Sequence, residues 1–172
     1  MEQWYIYKKK ADFAGKEEKY QIDPVIARLI RNRDVISDEE IHSYLYGTMK
    51  DVSDPLLLKG AKETAEILEK KIREEKKIRI ISDYDVDGVM SNYILWKALT
   101  DLGGIVDFTI PNRMKYGYGI NQSLVSRAVK DGIDTIITCD NGISAGEAVK
   151  YGREQGLTMI VTDHHEVPFE EL

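Results

Sequence analysis

From Ile78 onward the chain alternates short, β-branched apolar runs with longer amphipathic stretches. The runs Ile78–Ile81, Ile105–Ile110, Thr135–Thr138 and Met159–Thr162 predict strands, and the stretches 88–102, 120–131 and 144–155 predict helices. Gly103, Gly104, Gly132 and Gly156 stand where those helices should end. Strand and helix in strict alternation imply right-handed βαβ units and a mostly parallel sheet. Residues 1–76 have a different texture, polar and helical. Asp23-Pro24 opens a helix over 25–32, with Ile26, Leu29 and Ile30 at helical spacing. Ser37 and Glu40 have the spacing of a capping box, leading into Ile41–Tyr46 and stopped by Gly47. After Asp54-Pro55 a long helix is predicted over 57–76, with Ala61, Ala65, Leu68 and Ile72 on one face and a basic, solvated end. The expected architecture is therefore α/β: a mostly parallel sheet with flanking helices over 77–172, preceded by a small helical region, 1–76, packing on that core.

Composition narrows the class. With 172 residues, 42% of them hydrophobic and 31% charged, the chain is globular in type rather than disordered or fibrous. No apolar run approaches the roughly 20 residues that a membrane span needs, and the N-terminus lacks the basic-then-apolar order of a secretory signal. The single cysteine, Cys139, excludes an internal disulfide and fits a reducing, cytoplasmic compartment. A net charge of −6 argues against a surface that grips nucleic acid all over, though not against a local basic groove.

The acids are not scattered. In open parallel sheets, ligands bind beyond the carboxyl ends of the strands. The first predicted strand runs into Asp83-Tyr84-Asp85-Val86-Asp87-Gly88, the third into Asp140-Asn141-Gly142 and the fourth into Asp163-His164-His165. Carboxylates converging without partners repel one another. Divalent ions remedy this, and carboxylate with imidazole suits Mn²⁺ or Mg²⁺. A pair of such ions about 3.5–4 Å apart serves phosphoester hydrolysis. An EF-hand is excluded, because position 12 counted from Asp83 is Ile94 and not Glu. Asp87 is expected to cap the following helix, with Gly88, Asn141 and Gly142 in structural, turn-forming roles. The second strand ends at Pro111–Gly119, where Arg113 and Lys115 could meet phosphates and Tyr116 and Tyr118 could stack on bases. No P-loop or GxGxxG fingerprint follows the first strand, and Cys139, inside a β-run, reads as core.

With its three acidic motifs in this order, the chain resembles the DHH phosphoesterase superfamily. The DYDVDG form of the first motif, the PNRMKYGYG segment and the stretches 24–29 and 54–57 are similar to the RecJ-type branch, the single-stranded-DNA-specific exonucleases. Oligoribonucleases, cyclic-dinucleotide phosphodiesterases and pyrophosphatases of the superfamily typically carry a His well ahead of the acids instead. The resemblance implies 5′-to-3′ exonuclease activity on single-stranded DNA by two-metal hydrolysis, with repair and recombination proteins as partners. It implies Asp83, Asp85, Asp140 and His164 as metal ligands, with Asp85 and Asp140 bridging. It places His165 against the scissile phosphate or leaving group, and Arg113 and the Tyr116–Gly119 loop along the nucleic-acid path. Ile81 stands where some members have a His. Members continue into a further Asp and a DHH-associated substrate-binding domain, whereas this sequence stops at Leu172; it is expected to be an N-terminal catalytic portion with little activity alone. The alternatives are a phosphodiesterase for short oligonucleotides or cyclic dinucleotides, and a non-hydrolytic module that binds nucleic acid or a partner.

Overall fold

The computed structural model describes residues 13–112 and 119–167, together with Gln3, Lys9, Met114 and Gly117. The chain forms two compact units, one up to Leu58 and one from Lys59. In the first, α1 (Phe13–Tyr20), α2 (Pro24–Asn32) and α3 (Asp38–Tyr46) surround a small core of Tyr20, Ile30 and Ile41. Asp23 accepts from the Val25 N–H and Pro24 occupies the first helical turn, so α2 starts where the sequence predicts. The capping box also forms: Ser37 accepts from the Glu40 N–H while the Glu40 carboxylate accepts from the Ser37 N–H. Ile26 and Leu29, expected to share the inner face with Ile30, are exposed; Ala27 takes that place beside Ile30.

In the second unit, α4 spans Ala61–Arg73, shorter than predicted. Asp54 caps a 3₁₀ turn over Pro55–Leu57, and the helix begins only after Gly60, whose φ of +76° reverses the chain. The apolar face of α4 needs a partner, and Leu68 finds one in Ile78, Ile80, Leu99, Ile137, Cys139 and Ile160. This helix, grouped with the N-terminal region by its composition, therefore lies with the sheet, and the units part at Leu58 rather than near residue 76.

The sheet contains β1 (Lys77–Ser82), β2 (Ile105–Thr109), β3 (Thr135–Cys139) and β4 (Thr158–Thr162), all parallel, in the order β2-β1-β3-β4. Between them run α5 (Val86–Asp101), α6 (Gln122–Lys130) and α7 (Gly146–Glu154). Side chains alternate along each strand, so Ile78 and Ile80 face Leu68 and Leu99 of α4 and α5, while Ile81 and Ile136 face Leu124, Val125 and Ala148 of α6 and α7. The edge strand β2 is pinned by Arg79. Its guanidinium donates to Asp107 at 2.7 and 2.6 Å and to Asp131, just past α6, at 2.7 Å. Among the described residues no helix is long and apolar enough to cross a membrane.

Because Leu68 is part of the sheet's core, Leu68→Ala is expected to cost about 2–4 kcal/mol in urea unfolding of the whole chain. Leu57→Ala, at a side chain that is largely exposed, should change stability by about 0.5 kcal/mol or less. Equal effects would refute this placement of α4.

Candidate metal centre

The parallel register sets the site. Ser82 pairs with Cys139, and Cys139 with Thr162. The next residues along each strand are Asp83, Asp140 and Asp163, so three aspartates leave the sheet on one row. The sheet's order reverses between β1 and β3, and this is the crevice where such folds hold ligands.

On β1, Asp83 is 3% exposed, and its Oδ1 is buried with no hydrogen-bond partner among the described residues. A carboxylate oxygen left that way is costly unless something cationic meets it. Gly88 lets α5 close down on this residue, since a Cβ there would sit 2.4 Å from the Asp83 carbonyl oxygen. Asp85 caps α5 by accepting from the Gly88 N–H at 3.0 Å. The capping role expected of Asp87 thus falls to Asp85, because the helix starts at Val86 rather than at 88. Asp87 sits in the first turn, exposed, where a negative charge favours the helix start.

On β3, Asp140 holds a φ of +60°, a left-handed conformation that costs a non-glycine residue on the order of 1 kcal/mol or more. Asn141 behind it is fully buried, and Gly142 follows at φ +114°, where a Cβ would meet Thr138 Oγ1 at 2.8 Å. On β4, His164 Nε2 lies 2.9 Å from Asp140 Oδ1, and His165 Nδ1 lies 2.7 Å from Asp163 Oδ1.

Two donor sets result. Asp83, Asp85 and Asp140 each offer an oxygen, and Asp140, His164 and His165 each offer an oxygen or ring nitrogen, with all donors of a set within 4.8 Å of one another. Asp140 belongs to both; Asp85 belongs to one. Burial pushes the Asp140 carboxyl above its ordinary range, the negative charge of Asp85 pushes it further, and His164 and His165 oppose the shift. Hard oxygen donors with imidazole, an orphaned buried oxygen and a carboxylate crowded by another all fit divalent ions such as Mn²⁺ or Mg²⁺.

Residues 77–172 match the model of the DHH family, N-terminal domain. The chain belongs to the DHH family. It is 39% identical over 149 residues to the single-stranded-DNA-specific exonuclease RecJ of Bacillus subtilis, covering 87% of this chain and 19% of that protein. It is 34% identical over 146 residues to RecJ of Escherichia coli, covering 84% and 25%. A crystal structure of exonuclease RecJ bound to manganese is similar at 36% identity, over 69% of this chain and 31% of that one, with a TM-score of 0.64. RecJ of Thermus thermophilus in complex with Mn²⁺ is similar at 28% identity, over 90% and 21%, with a TM-score of 0.61. The chain thus spans about a fifth to a quarter of the length of the curated relatives it matches.

In this DHH chain the first residue of the third motif has work of its own. Asp163 Oδ2 accepts from the Ile143 N–H at 2.9 Å, and Oδ1 accepts from the His165 N–H at 3.1 Å as well as meeting its ring. Burial would raise this carboxyl, but those hydrogen bonds, from Ile143 first, hold it below the ordinary range. The hydrogen bond to Asp163 in turn raises the His165 pKa against the lowering effect of burial. In the sequence Asp163 stands among the strand-end acids without a role of its own; its signal is the strand-end position it shares with Asp83 and Asp140. Ile81 is fully buried in the α6–α7 core, and Cys139 is buried too, as its β-run predicts. Arg113, Lys115, Tyr116 and Tyr118 lie outside the described residues.

Asp140 combines backbone strain with a destabilised charge, so Asp140→Asn is expected to raise the melting temperature of the metal-free chain while weakening Mn²⁺ uptake. Calorimetry with and without Mn²⁺ checks both, and a lower melting temperature without metal would contradict the reading.

Proposed function

We propose that this chain is the N-terminal catalytic portion of a RecJ-like 5′-to-3′ single-stranded-DNA exonuclease that hydrolyses phosphodiester bonds with two divalent ions. The observation that carries the proposal is the pair of donor sets sharing Asp140. The named relatives are exonucleases specific for single-stranded DNA, and two similar solved structures hold manganese. Asp83, Asp85 and Asp140 would hold one ion, and Asp140 with His164, and His165 nearby, the other. When bound, such ions supply Lewis-acid stabilisation of phosphoryl charge and acidify a water nucleophile.

The chain's own residues orient this chemistry. Asp85 spends one oxygen on the Gly88 N–H, which fixes its rotamer against the helix start. Asp163 meets His165 Nδ1 at 2.7 Å, a contact that, with the carboxylate as acceptor, would keep the proton on Nδ1 and give Nε2 the role toward substrate. A cavity of about 480 Å³ opens beside His165, lined by Gly119, Ile120, Gly142, Ile143, Ser144 and Asp163 among others, with room for a nucleotide. Arg113, Lys115, Tyr116 and Tyr118, on the segment that follows β2, would guide the strand through phosphate and stacking contacts. Action in the cytoplasm, alongside DNA repair and recombination proteins, accords with the RecJ resemblance and the lone, buried thiol.

Isothermal titration of the metal-free chain with Mn²⁺ should show two ions. Asp140→Ala should abolish both, and Asp85→Ala should weaken one. For activity, residues 1–172 should replace the matching segment of the Bacillus subtilis relative. The hybrid should release mononucleotides from a 5′-phosphorylated single strand, spare duplex DNA, and lose turnover with Asp140→Ala. A hybrid that folds, binds Mn²⁺ and leaves the single strand intact would sink the proposal.

A further inference from the structure

Asn141 does more than turn the chain. An Asn-Gly pair is by itself a turn signal, in which the Asn side chain is exposed or its backbone left-handed. Here the Asn141 side chain is fully buried, and the left-handed residues are its neighbours, Asp140 and Gly142. Its amide nitrogen donates to the Ile81 carbonyl at 3.0 Å and to the Cys139 carbonyl at 2.9 Å, and its Oδ1 accepts from the Ile120 N–H at 3.0 Å. Ile81 and Cys139 lie at the carboxyl ends of adjacent strands β1 and β3. The side chain therefore continues the hydrogen-bond ladder between them just where the backbone of β3 turns away.

We infer that Asn141 is a positioning residue that holds the Asp83–Asp85–Asp140 donor set together by clamping the ends of β1 and β3 around Asp140. The inference rests on the two-ion reading above. The span it fixes is the one that matters: Asp83 and Asp85 follow β1, and Asp140 follows β3. The fit leaves little slack, since a Cβ on Gly119 would come within 3.1 Å of the Asn141 Cβ and Oδ1. Aspartate would set a carboxylate against two carbonyl oxygens, and alanine would remove the donor to both carbonyls and the acceptor of the Ile120 N–H.

The test compares Asn141→Ala with Leu68→Ala, which lowers stability from a position away from the acids. Each chain is titrated with Mn²⁺ by calorimetry, and low-temperature electron paramagnetic resonance reads the coupling between paired ions. At temperatures where circular dichroism shows both variants folded, Leu68→Ala should take up two coupled ions as the wild type does. Asn141→Ala should bind about 10–100-fold more weakly, or lose the coupled pair. If Asn141→Ala does not fold, Asn141→Ser takes its place, since its hydroxyl can donate to only one of the two carbonyls; weakened, uncoupled Mn²⁺ supports the inference and wild-type uptake overturns it. A folded Asn141→Ala with two coupled ions at wild-type affinity overturns the positioning role alone. A wild type that takes up no Mn²⁺ overturns the two-ion reading and this inference with it.

Discussion

Everything at the site depends on one constraint, the parallel register that lines up Ser82, Cys139 and Thr162. Each strand ends on the same row, so the residue that follows each is delivered to the same edge, and in all three strands it is an aspartate. A one-residue slip of β3 would turn Asp140 away from that row and reverse the facing of its buried isoleucines, which the two cores forbid. Apolar packing thus does the electrostatic assembly. Ile78 and Ile80 on one face and Ile81 and Ile136 on the other hold the register, and the register forces the carboxylates together.

That convergence is unfavourable in the metal-free chain. Asp83 Oδ1 is buried with no hydrogen-bond partner among the described residues, Asp140 sits in a strained conformation, and burial and the neighbouring Asp85 charge raise its carboxyl pKa. Such features collect where a site is built for a charge that arrives later. The surroundings are correspondingly rigid: Gly88 lets the start of α5 press on Asp83, Asp85 is committed as its cap, and Asp163 ties His165 to the segment after β3.

Much of this was legible in the sequence, for identifiable reasons. The strands are short β-branched runs between turn residues, and each was located to within a residue or so. The alternation with helices led directly to a parallel sheet, and with it to the row of acids. Helix starts were less legible. For α5, three aspartates in six residues could each serve as a cap, and only the contact with the Gly88 N–H shows that Asp85 does. For α4, the left-handed Gly60 delays a helix whose propensity reads through it. The affiliation of α4 with the sheet is a matter of packing, which residue 68 cannot announce on its own. The left-handed Asp140, the buried amide of Asn141 and the Asp163–His165 pair are all products of tertiary contact. A local reading of Asn141-Gly142 returns only a turn.

The central claim is that Asp140 is shared between two cation sites at the crevice between β1 and β3. Anomalous diffraction from crystals of this chain soaked in Mn²⁺ tests it most directly. The account predicts two anomalous peaks flanking the Asp140 carboxylate, one toward Asp83 and Asp85 and the other toward His164. A single peak that excludes Asp140, or full Mn²⁺ occupancy elsewhere with none at this row, would contradict it.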